Sequence, residues 1–194
     1  MKRFWDKEAQ AAAVTLAAAC AMGLVAGILF ANLTYPWRDG GTEVLGVYLL
    51  ERLEEGVTPS ADYFFYILRL RGGNFLFFFL AGMTAAARGA ALLGAGGLGF
   101  LAGAAASMAV LQTGIRGMLL FGAANFPQCI FYIPGMLGVL ILAYRKNGRI
   151  RGARPGALRE YLLTGFLLFL CLLAGIALEA YGNPGFLEWI YSRM

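Results

Sequence analysis

Histidine is absent from this sequence of 194 residues, and only 14% of its residues are charged. The lack of histidine removes the commonest general base and the commonest metal ligand. Three cysteines stand apart in apolar runs, without the paired spacing of a zinc or redox site, so we interpret each as a small buried hydrophobe. No serine or cysteine stands beside a plausible base, and no glycine-rich phosphate loop follows a strand. We therefore predict a protein that is not an enzyme and that uses no metal ion or cofactor.

Charged residues are also too few to cover the surface of a soluble globule, because about 25% of the residues in a soluble domain are usually charged. The chain is 60% hydrophobic, with a mean hydropathy of +0.68. A bilayer span needs about 20 apolar residues, and long arginine side chains at its ends can complete a shorter run. Five runs contain no Asp, Glu, Lys or Arg, and they cover residues 9–37, 72–87, 89–115, 117–144 and 161–178.

These runs predict an all-α, polytopic membrane helix bundle of about five transmembrane helices, which form one integral membrane domain. The first span follows a basic start but is too long for the apolar core of a signal peptide, which has about 7–15 residues. We expect it to remain as an anchor; a cleaved or lipidated N-terminus at the LAAAC box (residues 16–20) is the alternative. The predicted spans are residues 11–33, 72–87, 90–111, 118–144 and 161–180.

Basic residues are concentrated on one predicted side of the membrane. The N-terminus, the turn at Arg88 and residues 145–160 hold ten basic and three acidic residues, a net charge of +7. The other side holds six basic and eight acidic residues, a net charge of −2. Loops rich in lysine and arginine stay in the cytoplasm, so we predict the N-terminus inside and the C-terminus outside. The overall charge of +5 then reflects topology rather than nucleic-acid binding, and the basic loop is expected to contact membrane lipids.

Two segments are predicted on the outer side. Residues 34–71 open with a polar turn, and a helix that starts at the capping residue Thr42 is expected to follow. A second amphipathic piece, residues 61–70, is rich in aromatics and is expected to lie at the membrane surface before the second span. The tail, residues 181–194, is expected to return an aromatic face to the outer interface.

The third span carries a face of small residues that recur every four positions. In lipid, helices associate through close backbone packing along such faces. We therefore place this helix at the centre of the bundle or, alternatively, at a symmetric contact in a homo-oligomer. The face comprises Ala91, Ala95, Gly99, Gly103 and Ser107.

The fourth span is predicted to be broken. A proline removes a helix hydrogen bond and disfavours helix at the preceding residue, and amide side chains beside it can satisfy the freed backbone groups. We expect a half-helix at 118–125, a break at 125–128 and a span that continues to Tyr144. For each strongly polar side chain at membrane depth we expect either a structural role or a place in a contact surface or permeation path. The strongly polar side chains at this depth are Asn74, Gln112, Asn125 and Gln128.

The segment GIRGMLLFGAANFPQCIFYIPGML (114–137) resembles the signature of the stage II sporulation protein M family, with a Pro-Gln pair (Pro127, Gln128) and a second proline (Pro134). This chain has Cys129 where the family tends to have Asn. The segment RGGNFLFFFLAGMT (71–84) resembles the family's other recurrent feature, an Asn that opens a helix with a Gly eight residues on. Here those residues are Asn74 and Gly82.

The resemblance implies a role in endospore formation in the bacterial cell membrane. Members of the family form a complex with stage II sporulation proteins D and P, which degrade peptidoglycan, and hold them at the septum while the forespore is engulfed. The resemblance thus predicts a non-catalytic scaffold that docks wall hydrolases on its outer segments, 34–71 and 181–194. The alternative is a small permease or channel subunit, because discontinuous helices often line substrate sites.

Overall fold

The computed structural model describes residues 7–35, 61–146 and 156–182, and these ranges are helical apart from short turns, without a strand. Each of the five helices is long and apolar enough to cross a membrane. The predicted all-α bundle with five spans is therefore confirmed. The helices are α1 (Lys7–Thr34), α2 (Ala61–Ala81), α3 (Ala87–Thr113), α4 (Ile115–Lys146) and α5 (Ala157–Gly182).

Large apolar side chains cover the outside of the bundle as well as its inside. Leu93 is 80% exposed and Val14 70% exposed, while Leu140 and Leu172 are fully buried. In water such an exterior would drive aggregation, whereas in lipid tails it is solvated. The bundle has the surface of a protein that lies in a bilayer.

The helix ends fall into two groups. Gly82 lies against Ala143 and Tyr161, and the Arg88 guanidinium lies 5.7 Å from the centre of the Tyr144 ring. We call this the basic end of the bundle, since Arg88, Arg145, Lys146 and Arg159 lie there, and we call the opposite end distal. The charge asymmetry predicts that the basic end faces the cytoplasm.

Helix α4 contacts each of the other four helices, and α3 lies between α1 and α4. The closest backbone approach joins α1 to α3, because glycines lie on both sides. A Cβ added at Gly99 would overlap the Cys20 carbonyl, and one at Gly23 would overlap the Gly96 carbonyl. The small face of α3 is therefore packed against α1 within the chain, and α4, not α3, is the helix at the centre.

The expected separate piece at residues 61–70 is wrong, as is the second span at 72–87. Residues 61–81 form one continuous helix that has a wide π-type turn at Leu68–Gly72. The helix ends at Ala81 in a tighter turn, in which the Thr84 N–H donates to Ala81 O at 2.9 Å. The Thr84 hydroxyl also donates to Ala81 O at 2.7 Å, and the Tyr161 hydroxyl donates to Phe79 O at 2.5 Å. Arg88 then lies in the first turn of α3 rather than in the connecting turn.

The predicted break in the fourth span is also wrong, because α4 continues through Pro127 and Pro134. A proline leaves only one carbonyl without its usual donor, and helices packed on several sides tolerate that loss in a membrane. The Asn125 amide donates to Phe121 O at 2.8 Å, which adds a hydrogen bond to the helix on the N-terminal side of Pro127. The helix predicted from Thr42 and the tail beyond Gly182 lie outside the described residues.

Candidate functional site

An ion pair joins α2 to α5 in the distal half of the bundle. Arg71 Nε lies 3.0 Å from Glu179 Oε2, and Arg71 Nη2 donates to Glu179 Oε1 at 3.1 Å. The pair is bidentate, the geometry in which a guanidinium and a carboxylate attract most strongly. Its two helices are thereby held at a fixed spacing.

Tyr132 on α4 adds a third helix to this pair. Its hydroxyl donates to Glu179 Oε2 at 2.5 Å, and the Arg71 guanidinium lies 4.3 Å from the centre of its ring. The carboxylate thus accepts from two residues, while the guanidinium is paired with the carboxylate and attracted by the ring face. We call Arg71, Tyr132 and Glu179 the distal clamp.

Helix direction explains why these three side chains meet. Arg71 and Tyr132 each lie 11 residues, about 16 Å, from the level of Gly82 and Ala143 at the basic end. Side chains tilt toward the N-terminus of their helix, which is distal for α2 and α4 but basic for α5. The Arg71 and Tyr132 side chains therefore point outward along the bundle while Glu179 points back to meet them.

The clamp rests on an apolar cluster that excludes water from its inner side. Tyr132 is 7% exposed and packs with the buried residues Ile67, Phe75 and Ile176. The side chain of Glu179 is 13% exposed and that of Arg71 39%. A charged pair in such a place is stable only when its hydrogen bonds are satisfied, and here three donors from two residues serve one carboxylate.

Rings extend the clamp to the distal surface. Phe64 on α2 stacks on Tyr181 at the end of α5, with ring centroids 6.1 Å apart. The chain enters α2 at Ala61 and leaves α5 at Gly182, so its entry and exit points lie side by side. These points are where the outer segment and the tail predicted from the sequence are attached.

The sequence-predicted residues of the fourth span lie close to the clamp without forming it. Gln128 is buried, one turn before Tyr132, whereas Pro134 is exposed. Asn125 and Pro127 are half-buried, and the Asn125 side chain bonds to its own helix. The four residues form one stretch of α4 rather than a separate site.

The other sequence-predicted residues lie elsewhere. Gly82 ends α2 at the basic end, where a Cβ would overlap the Tyr161 hydroxyl, and Gly99 and Gly103 form the contact with α1. Asn74 lines an open groove between α2 and α3. The candidate residues are thus divided among helix packing, the groove and the neighbourhood of the clamp.

The sequence did contain a signal for the clamp. Arg71 and Glu179 each border a charge-free run, and both borders lie toward the distal side of the predicted topology. Two opposite charges at similar depth on two spans are expected to pair. An interpretation of arginines at the ends of the spans only as side chains that reach the membrane surface misses this pairing.

The clamp holds helices together and offers little for reaction chemistry. Both carboxylate oxygens of Glu179 already accept hydrogen bonds, and the Arg71 guanidinium is paired with this carboxylate. Among the described residues, no three His, Cys, Asp or Glu side chains gather where they could hold a metal ion.

Comparison with family models, curated proteins and solved structures finds no match to this chain. The resemblance to the stage II sporulation protein M family therefore rests on the sequence motifs alone.

Proposed function

We propose that this protein is a non-catalytic membrane scaffold that holds cell-wall enzymes at its distal end. The observation that supports this function best is the distal clamp. With the Phe64–Tyr181 stack, it places the attachment points of the outer segment and the tail next to each other. A docking surface made from two segments needs a rigid common base, because flexible attachment lowers the affinity for a partner.

By resemblance, the docked enzymes are peptidoglycan hydrolases like stage II sporulation proteins D and P, and the location is the septum during engulfment. A scaffold of this kind needs no nucleophile or metal of its own. It needs a fixed membrane domain and a partner-facing end, which the interlocked α2, α4 and α5 would provide.

The test is co-purification of the full chain from host membranes after mild cross-linking. We expect a wall hydrolase to be recovered, and we expect the Phe64→Ala/Tyr181→Ala variant to recover less of it because the two attachment points separate. Leu167→Ala is the matched control, since Leu167 is exposed to lipid on α5. Failure to recover any hydrolase would falsify the scaffold, and equal recovery from the ring variant would exclude the distal end as its docking surface.

A transport component is the second candidate. The continuous α4 removes the broken helix that suggested it, but charged side chains inside a membrane bundle commonly mark ion pathways. The measurement is flux through liposomes that contain the purified chain. Permeability above that of empty liposomes, abolished by Glu179→Leu and also altered by Gln128→Leu, would favour transport over the scaffold.

A further inference from the structure

One face of α3 remains open after the bundle has packed. The face with Gly99 and Gly103 contacts α1, whereas Leu93 and Leu101 on another face are 80% and 66% exposed. This second face and α2 border a groove of about 640 Å³. A Cβ added at Gly97 would meet no atom within 4 Å, so another helix could approach the α3 backbone closely there.

Asn74 provides an independent reason to expect a partner in this groove. Its exposed side chain lines the groove, and among the described residues it forms no hydrogen bond. The residue lies eight positions, about 12 Å, from Gly82 at the basic end, which is deep within a hydrocarbon core of about 30 Å. An amide without a partner is unfavourable at that depth, where water is absent.

We propose that this groove is the contact surface of a homodimer in which Asn74 of each copy pairs with Asn74 of the other. A primary amide carries both donors and an acceptor, so two copies related by a two-fold axis satisfy each other. A lipid tail has no hydrogen-bonding group at this depth and would leave Asn74 without a partner.

The shape of the surface also favours a second copy. Phe77 is 62% exposed and lines the α2 side of the groove, and the open backbone of Gly97 lines its α3 side. A projecting ring next to a recess is self-complementary, because a two-fold rotation places the ring of each copy against the recess of the other. Such isologous contacts are the commonest in oligomers, and small residues let membrane helices approach closely.

The experiment measures dimerisation of the dye-labelled full chain by energy transfer in liposomes over a range of protein-to-lipid ratios. We expect Asn74→Leu to weaken the dimer about 3- to 30-fold, as found for interhelical polar contacts in membranes, and Asn74→Gln to retain it. Gly97→Leu fills the recess and should also weaken the dimer, because a large side chain keeps the helices apart. Ala18→Leu is the control, because Ala18 is exposed on α1, outside the groove.

A cross-link keeps the test independent of variant stability. In a chain with its native cysteines replaced by alanine, Asn74→Cys should form a disulfide between copies, because residue 74 of each copy lies against residue 74 of the other. Leu167→Cys on the lipid-facing side of α5 should not form one. A chain that stays monomeric at every ratio would overturn the proposal and leave a lipid or another membrane protein as the occupant. A dimer that Asn74→Leu and Gly97→Leu leave unchanged would also overturn it.

Discussion

Removing the Arg71 charge alone from the distal clamp should lower the free energy of unfolding more than removing both of its charges. Arg71→Met would leave Glu179, whose side chain is only 13% exposed, without its cation. Loss of one partner from a buried pair costs about 3–5 kcal/mol, and because Arg71 is 39% exposed we take the lower limit, about 3 kcal/mol. Glu179→Leu should cost less, about 2 kcal/mol, since the Arg71 side chain can extend to the membrane surface.

The double variant Arg71→Met/Glu179→Leu should lose less stability than the sum of the losses in the two single variants. With both charges gone, apolar side chains pack in lipid and no charge stays unpaired, so we expect a loss of about 2 kcal/mol, mostly from the Tyr132 hydroxyl that keeps no acceptor. The coupling free energy is then about 3 kcal/mol, at the upper end of the range for residues in contact. Additive losses of about 5 kcal/mol would refute the clamp.

The assay is equilibrium unfolding of the full chain in mixed micelles with increasing denaturing detergent, followed by resistance to protease. Tyr132→Phe serves as a third variant. It removes only the 2.5 Å hydrogen bond to Glu179 and should cost about 0.5–1.5 kcal/mol, with the ion pair intact.

Two further predictions use the same assay. Gly99→Ala should lower the free energy of unfolding by about 1–3 kcal/mol, because its methyl group would overlap the Cys20 carbonyl. The control is Gly97→Ala on the open face of the same helix, which should be neutral or stabilise by up to about 1 kcal/mol. Equal effects of the two substitutions would contradict the α1–α3 packing. Tyr161→Phe should cost about 0.5–1.5 kcal/mol, because its hydroxyl bonds to the Phe79 carbonyl at 2.5 Å where α2 ends; an unchanged stability would mean that this carbonyl finds another donor.

The number of spans was predictable from the sequence because charges cannot be left in lipid without a partner. Runs free of charge therefore mark the membrane segments. The same reasoning misplaced α2, since it treated Arg69 and Arg71 as the outer limit of the helix. Arg71 lies inside α2 and is paired with Glu179 on another helix. This contact is expected only when the charges that border different spans are compared.

The course of α4 could not be decided from local pattern either. Pro127 disfavours helix by itself, but the neighbouring helices pack around it and the helix continues. For α3, periodicity identified a close-packing face, and only the structure shows that α1 occupies it. The candidate site was predicted in part: Gln128 lies one turn from the clamp, while Arg71, Tyr132 and Glu179 were missed.

The central claim is that the basic end lies in the cytoplasm and that the distal end, where α2 begins and α5 ends, faces outward. In a chain with its native cysteines replaced by alanine, single cysteines are introduced at exposed positions of the two ends, Ala61→Cys and Gly156→Cys. A membrane-impermeant maleimide should label Ala61→Cys in intact cells and Gly156→Cys only after the membrane is opened. The reverse pattern would contradict the topology and the proposed docking surface together.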